Sequence, residues 1–299
     1  MCLIAFAIQA SARWPLVIAA NRDEYLCRPS AALSRWTSPN GAQVIAGRDL
    51  RAGGAWFGIT PQGRVAFVTN VREPDAPVAP RSRGELVTRW LESTDDADAF
   101  VAGLQPRIAE FAGFNLVVGD AQRRAWHWVT NRSGLAAAHG GLHRQVLAAG
   151  VYGLSNAALD TPWPKTLRLK NALISALQTS GQPAQPASLR GALWAALADT
   201  RRASAELLPT TGIALAREQA LSSAFVTGLD FTSGAYGTVS STLLTVEASE
   251  PSGGEPGVEM VSMQERQHQR AADTPDGTAA PVWTLSTEDL AWPVAAAPR

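Results

Sequence analysis

Apolar segments that come in pairs, each pair joined by a short polar turn, constrain this chain more than any other feature of its sequence. Cys2–Gln9 and Leu16–Ala20 flank the Pro-marked SARWP, Trp56–Thr60 and Arg64–Asn70 flank Pro61-Gln62-Gly63, and FNLVVGD and RAWHWVT flank a turn at Asp120–Arg123. Each pair reads as a β-hairpin. Hairpins build antiparallel sheets, because a parallel neighbour needs a crossover of about a dozen residues or more. Two further strands are predicted at 238–247 and 257–264, joined by EPSGGEPG. Helices are predicted over Ser82–Leu91, from Asp95 with Thr94 as its cap, and over 163–181 and 185–198. Leu167, Leu169, Leu173, Ile174 and Leu177 recur at helical spacing. Strands, then helices, then strands predict an α+β fold of antiparallel sheets covered by helices.

A chain of 299 residues, 46% hydrophobic and 17% charged, can bury one large core. A single domain is placed at 1–270. The Ala-, Pro-, Asp- and Thr-rich stretch 271–299 reads as a peripheral C-terminal segment apart from its apolar VWTL. Lys plus Arg (26) equals Asp plus Glu (26), and no run of basic residues occurs, so no nucleic-acid partner is expected. The opening MCLIAFAIQA lacks the basic flank and cleavage site of a signal peptide, and no apolar run approaches the roughly 18 residues of a membrane span. With two cysteines and no disulfide framework, the expected location is the cytoplasm. Nothing in the sequence fixes an oligomeric state.

The chemistry concentrates at the start of the first hairpin. Methionine aminopeptidases remove Met1 when the second residue is small, which would expose Cys2 with its thiol and a free α-amine on one residue. An α-amine has a reference pKa of about 7.7–8.0, so roughly a tenth of it is neutral at pH 7 and able to take the thiol proton. If Gln9 pairs with Leu16, Cys2 falls opposite Asp23 within about two residues. Arg22 would then stabilise a thiolate and Asp23 would hold the amine. Successive strand residues face opposite sides, so both can serve the thiol only where a strand ends or bulges. Position and residue type alone also fit a purely structural part, with Cys2 packed as a small apolar residue and Arg22-Asp23-Glu24 as a solvated turn.

MCLIAFA, the Asn21–Glu24 tetrad NRDE, GRDLRAGGAWFGIT at Gly47–Thr60, GRVAFVTNVREP at Gly63–Pro74, SRGELV at Ser82–Val87, FNLVVGD and YGLSNAALDTPWPK at Tyr152–Lys165 together resemble the NRDE family, in order, from Met1 to about residue 270. Penicillin V acylases and bile salt hydrolases show a more distant resemblance, since they also begin Met-Cys and place an Arg and an Asp at the end of the second strand. The resemblance implies a four-layer αββα sandwich like that of the N-terminal-nucleophile hydrolases. By motif position it makes Cys2 the nucleophile, Arg22 the thiolate partner, Asp23 the amine-orienting group and Asn156 an oxyanion donor. An Asx turn before a helix starting near Pro162 is the alternative for Asn156. Asn21, Asn70, Gly153 and Val239 are carried over as substrate-binding positions.

In YGTVSSTLLTV, Val239 stands where relatives commonly carry Arg, which leaves a less cationic pocket. The implied activity is hydrolysis of a linear amide in a small-molecule substrate through a Cys2 thioester, with no cofactor. The alternative is a non-catalytic binding or trafficking protein for a hydrophobic ligand such as haem or an acyl thioester. No metal site is predicted: His127 between Trp126 and Trp128 reads as a packing residue, and His139, His143 and His268 lack ligand spacing. Of the two thiols, Cys2 is expected to be more reactive than Cys27.

Overall fold

The computed structural model describes residues 2–74, 78–132, 141–179, 186–231, 234–249, 258–269 and 282–293. In chain order the strands are β1 (Cys2–Ile8), β2 (Leu16–Tyr25), β3 (Ser30–Thr37), β4 (Gln43–Asp49), β5 (Phe57–Ile59), β6 (Arg64–Asn70), β7 (Phe114–Asp120), β8 (Ala125–Thr130), β9 (His143–Val146), β10 (Gly150–Leu154), β11 (Leu229–Phe231), β12 (Gly234–Ala248), β13 (Val258–Gln269) and β14 (Val282–Pro293). The helices are α1 (Gly84–Glu92), α2 (Ala97–Leu104), α3 (Pro164–Thr179), α4 (Pro186–Leu197) and α5 (Leu215–Ala220). The first sheet runs β10-β1-β2-β12-β13-β14, with β11 on β12, and the second runs β3 through β9 in sequence order. Every strand pairing is antiparallel.

Alternation within β1 explains the layering. Ile4, Phe6 and Ile8 enter the core between the sheets, whereas Leu3, Ala5 and Ala7 enter a separate core beneath α3 and α4. Both faces are covered, so the strand is a continuous apolar run. In β6, Val65 and Phe67 face the first sheet, while Ala66 and Val68 pack under Leu86, Val87, Trp90 and Leu91 of α1 and Phe100 and Val101 of α2. Small residues on the outer faces let the helices lie close. The order is therefore helices, sheet, sheet, helices, the αββα arrangement the resemblance implied.

The three early hairpins and the helices α1, α3 and α4 lie where the sequence predicts them. The cap of α2 is Asp96 rather than Thr94: its carboxylate accepts from Ala99 N at 2.8 Å, and the helix starts two residues later than expected. The strands β3, β4, β9, β10 and β11 were not predicted. The EPSGGEPG connection lies outside the described residues. The stretch beyond residue 270 includes a long edge strand, β14, where the sequence suggested only a peripheral segment. Its Trp292 is fully buried between the sheets, and Arg35 of β3 bonds Glu288 Oε2 at 2.7 Å, tying the two sheets at that edge.

Candidate active site

In the β1–β2 register Cys2 pairs with Arg22, one residue from the expected Asp23. Cys2 shares the face of Ile4 and Arg22 that of Ala20, both of which belong to the core between the sheets, so thiol and guanidinium lie side by side at the mouth of that layer. Arg22 is buried and lies over the Trp56 ring at 4.3 Å, with Nη2 3.8 Å from Glu24 Oε2. Its Nη1 has no hydrogen-bond partner among the described residues. No role for Trp56 follows from the sequence alone. Gly47 makes room for it, because a Cβ at Gly47 would meet the ring at 2.5 Å.

Asp23 takes the opposite face, towards the helices. Thr238 Oγ1 donates to Asp23 Oδ1 at 2.7 Å and accepts from Val226 N at 2.9 Å. Sequence reasoning asked for β2 itself to end or bulge at Arg22 and Asp23, and it does neither; the irregularity lies on the neighbouring strand, where Thr238 pairs with Asp23 and Ser240 with Arg22, which leaves the half-buried Val239 as the extra residue. β2 thus keeps its alternation. The thiol meets Arg22 on one face of the strand, and Asp23 lies on the other.

The β10–α3 connection closes the site from the side. Ser155 Oγ lies 3.2 Å from both the Cys2 carbonyl oxygen and Asn156 Oδ1, so one hydroxyl links Asn156 to the first strand. Thr69 Oγ1 donates to Ser155 O at 2.6 Å, and Asn115 Nδ2 donates to Ala157 O at 2.8 Å. Asn156 is buried, and its Nδ2 donates to both the main-chain oxygen and Oδ1 of Asn70, at 3.1 Å each. Asn70 and Asn156 are therefore together, with the amide of one already engaged by the other.

Two carried-over positions lie elsewhere. Asn21 is buried on the helix side, where Nδ2 donates to Leu197 O and Ala224 O at 2.8 Å and Oδ1 accepts from Ser241 at 2.6 Å, so it fastens α4 to the sheet. Gly153 faces α3: a Cβ there would meet Thr166 Cγ2 at 2.6 Å, and the position serves close helix packing. His127 sits on the outer face of β8, with its neighbours Trp126 and Trp128 in the core, and burial lowers its pKa. His139 lies outside the described residues.

Electrostatics alter one expectation. Burial pushes the Cys2 thiol up, and the carboxylates of Asp23 and Glu24 add to this while Arg22 opposes it, so burial outweighs the adjacent cation. Cys27 is exposed. Beneath Asp23 lies a cluster the sequence did not reveal. Lys165 is buried at the N-terminal end of α3, and burial lowers its pKa to about 8 against the opposing pull of Asp23. Beside it Arg72 forms a buried ion pair with Glu218 of α5 and stacks over Trp163.

The profile of the family "Transport and Golgi organisation 2" matches residues 1–255. The cattle protein "Transport and Golgi organization protein 2 homolog" is 34% identical over 185 residues, covering 60% of this chain and 65% of that protein. The human homolog is 32% identical over 190 residues, covering 60% and 66%. The chain thus matches less than two thirds of the length of these relatives. Among solved structures, an N-acylethanolamine-hydrolyzing acid amidase ortholog of Caenorhabditis elegans aligns with a TM-score of 0.43 at 10% identity, over 81% of this chain and 92% of that one. A mutant conjugated bile acid hydrolase of Clostridium perfringens aligns with a TM-score of 0.45 at 8% identity, over 82% and 88%. No described helix is long and apolar enough to cross a membrane. With a family profile matched over most of its length, this chain belongs to the Transport and Golgi organisation 2 family.

Proposed function

We propose that the chain is an N-terminal cysteine amidohydrolase acting on a linear amide in a small-molecule substrate. The observation that carries this reading is the pairing of Cys2 with Arg22 at the start of β1, with Asp23 on the reverse face of the same strand. Removal of Met1 gives Cys2 a free amine. The Cys2 thiol proton passes to that amine as Sγ attacks the amide carbon, and the amine then protonates the leaving nitrogen. Water, activated by the same amine, hydrolyses the thioester. Arg22 stabilises the thiolate and counters part of the burial that raises the thiol. Asn156 supports the negative oxygen of the tetrahedral intermediate when that oxygen takes the place of an Asn70 oxygen on Nδ2. No step calls for a cofactor.

Intact mass of native material and turnover of an acyl-amide panel test the proposal, with haem and acyl-thioester binding measured in parallel. We expect a chain beginning at Cys2 and hydrolysis abolished by Cys2→Ala. Undetectable hydrolysis, together with ligand binding unchanged by Cys2→Ala, would overturn the enzyme in favour of a carrier of hydrophobic ligands.

A further inference from the structure

A buried lysine with no hydrogen-bond partner is costly, and this fold holds one within the electrostatic reach of its first residue. Lys165 is 2% exposed, its Nζ has no hydrogen-bond partner among the described residues, and it stands in the first turn of α3, where the helix dipole adds to the cost of a cation. The groups that face it come from every element packed around it: Asp23 from β2, Cys2 from β1, Arg72 from the segment after β6, and Glu218 from α5. Tyr236 of β12 also faces Asp23, and burial keeps its phenol neutral. A small cavity lined by Arg72, Trp163, Lys165 and Glu218 has space for roughly one water.

Counting charge in this cluster gives the argument. Arg72 is matched by Glu218, whose second oxygen accepts from Thr211. Lys165, at neutral pH still mostly ammonium, attracts Asp23 without a hydrogen bond to it. Around Cys2 itself, Arg22 is paired with Glu24 and Arg83 adds another cation, so an ammonium on a processed Cys2 would add an uncompensated positive charge to a desolvated site. We propose that Lys165 is a positioning residue whose buried ammonium, facing Asp23 without a hydrogen bond to it, leaves the α-amine of a chain starting at Cys2 in its neutral, proton-accepting form. Asp23 then orients the amine without protonating it. The proton the amine accepts is the one released by the Cys2 thiol, so charge separates only when the nucleophile is needed. This rests on the reading of Cys2 as an N-terminal nucleophile and explains how an otherwise ordinary α-amine becomes a base.

The sequence makes the test direct, because the chain has only two cysteines, Cys2 and Cys27. Protein grown with 15N-cysteine gives one amide resonance from Cys27 and one amine resonance from Cys2, and the latter is titrated by NMR. We expect the wild-type amine to titrate below the ordinary α-amino range of about 7.7–8.0. In Lys165→Met and Lys165→Gln it should titrate higher by about one pH unit, with the acid limb of turnover moving by the same amount. A wild-type amine at or above the ordinary range overturns the inference, even if neither variant folds, and so does a titration unmoved in a folded variant. A Cys2 amide signal in place of an amine, reporting retained Met1, overturns this inference and the amidase together. A depressed amine in a protein without turnover upholds the inference and removes only the amidase.

Discussion

Glu265 shows what the space between the sheets demands of a single residue. It is 1% exposed, accepts from Leu33 N at 2.9 Å, and is raised to about 7 by burial, with Arg22 pulling the other way. A carboxyl with a folded pKa above its unfolded value is bound in its neutral form, so its full contribution is present below about 4.5. That contribution is lost as pH rises through about 7, a change on the order of 3 kcal/mol. Glu265→Gln keeps the shape and removes the titration. Urea midpoints should therefore be nearly equal for variant and wild type at pH 5, with the variant more stable at pH 8. Equal loss of stability at both pH values would show that the carboxylate is needed for its electrostatic attraction to Arg22 instead. Neither Glu265 nor Lys165 was legible in the sequence. Each is polar in a pattern that reads as surface, and its burial comes from β3 in one case and from α5 in the other, elements that alternation and turn residues do not reveal.

At the scale of elements, the site depends on one irregularity in β12. With two residues opposite one at Val239, Thr238 reaches the helix-facing side of Asp23 while Ser240 stays with Arg22 between the sheets. The Thr238 hydroxyl is used twice, donating to Asp23 and accepting from Val226 N. Thr238→Val keeps the shape but leaves a buried carboxylate oxygen and a buried N–H each short of a partner. We expect a loss of at least about 1–3 kcal/mol by chemical denaturation, and a further rise of the Asp23 pKa, since the lost donor favours its charged form. A variant within about 0.5 kcal/mol of wild type would mean that water replaces the hydroxyl and that the bulge has no such part. The sequence called for β2 to end or bulge at Arg22 and Asp23, which it does not, but placed Cys2 within one residue of its observed partner, because a register slip in a strand buried on both faces would swap its two cores. It did not foresee which strand would bulge. The strands it missed, such as β3 and β9, expose much of their length and so carry little apolar alternation.

For the whole molecule, the decisive question is whether stability and chemistry occupy separate ends of the sandwich. Cys2, Arg22, Asp23 and Lys165 gather where β1 begins and β2 ends. Trp292 of β14 belongs to the same inter-sheet core but lines a small cavity with Gln9, Pro15, Leu16 and Trp126, at the turn of the first hairpin and so at the opposite end of those strands. Its ring is fully buried, although it comes from a stretch the sequence read as peripheral. Trp292→Ala should cost about 3–5 kcal/mol, the range for removing a buried aromatic. It removes no group that faces Cys2 or Lys165. We therefore expect a markedly lower denaturation midpoint, while the titration of the Cys2 amine and the turnover per folded molecule stay at wild-type values. If the amine titration moved with Trp292→Ala, the charge cluster under Asp23 would depend on the closure of the far edge. The two ends would then be coupled through the single sheet that β1, β2, β12, β13 and β14 share.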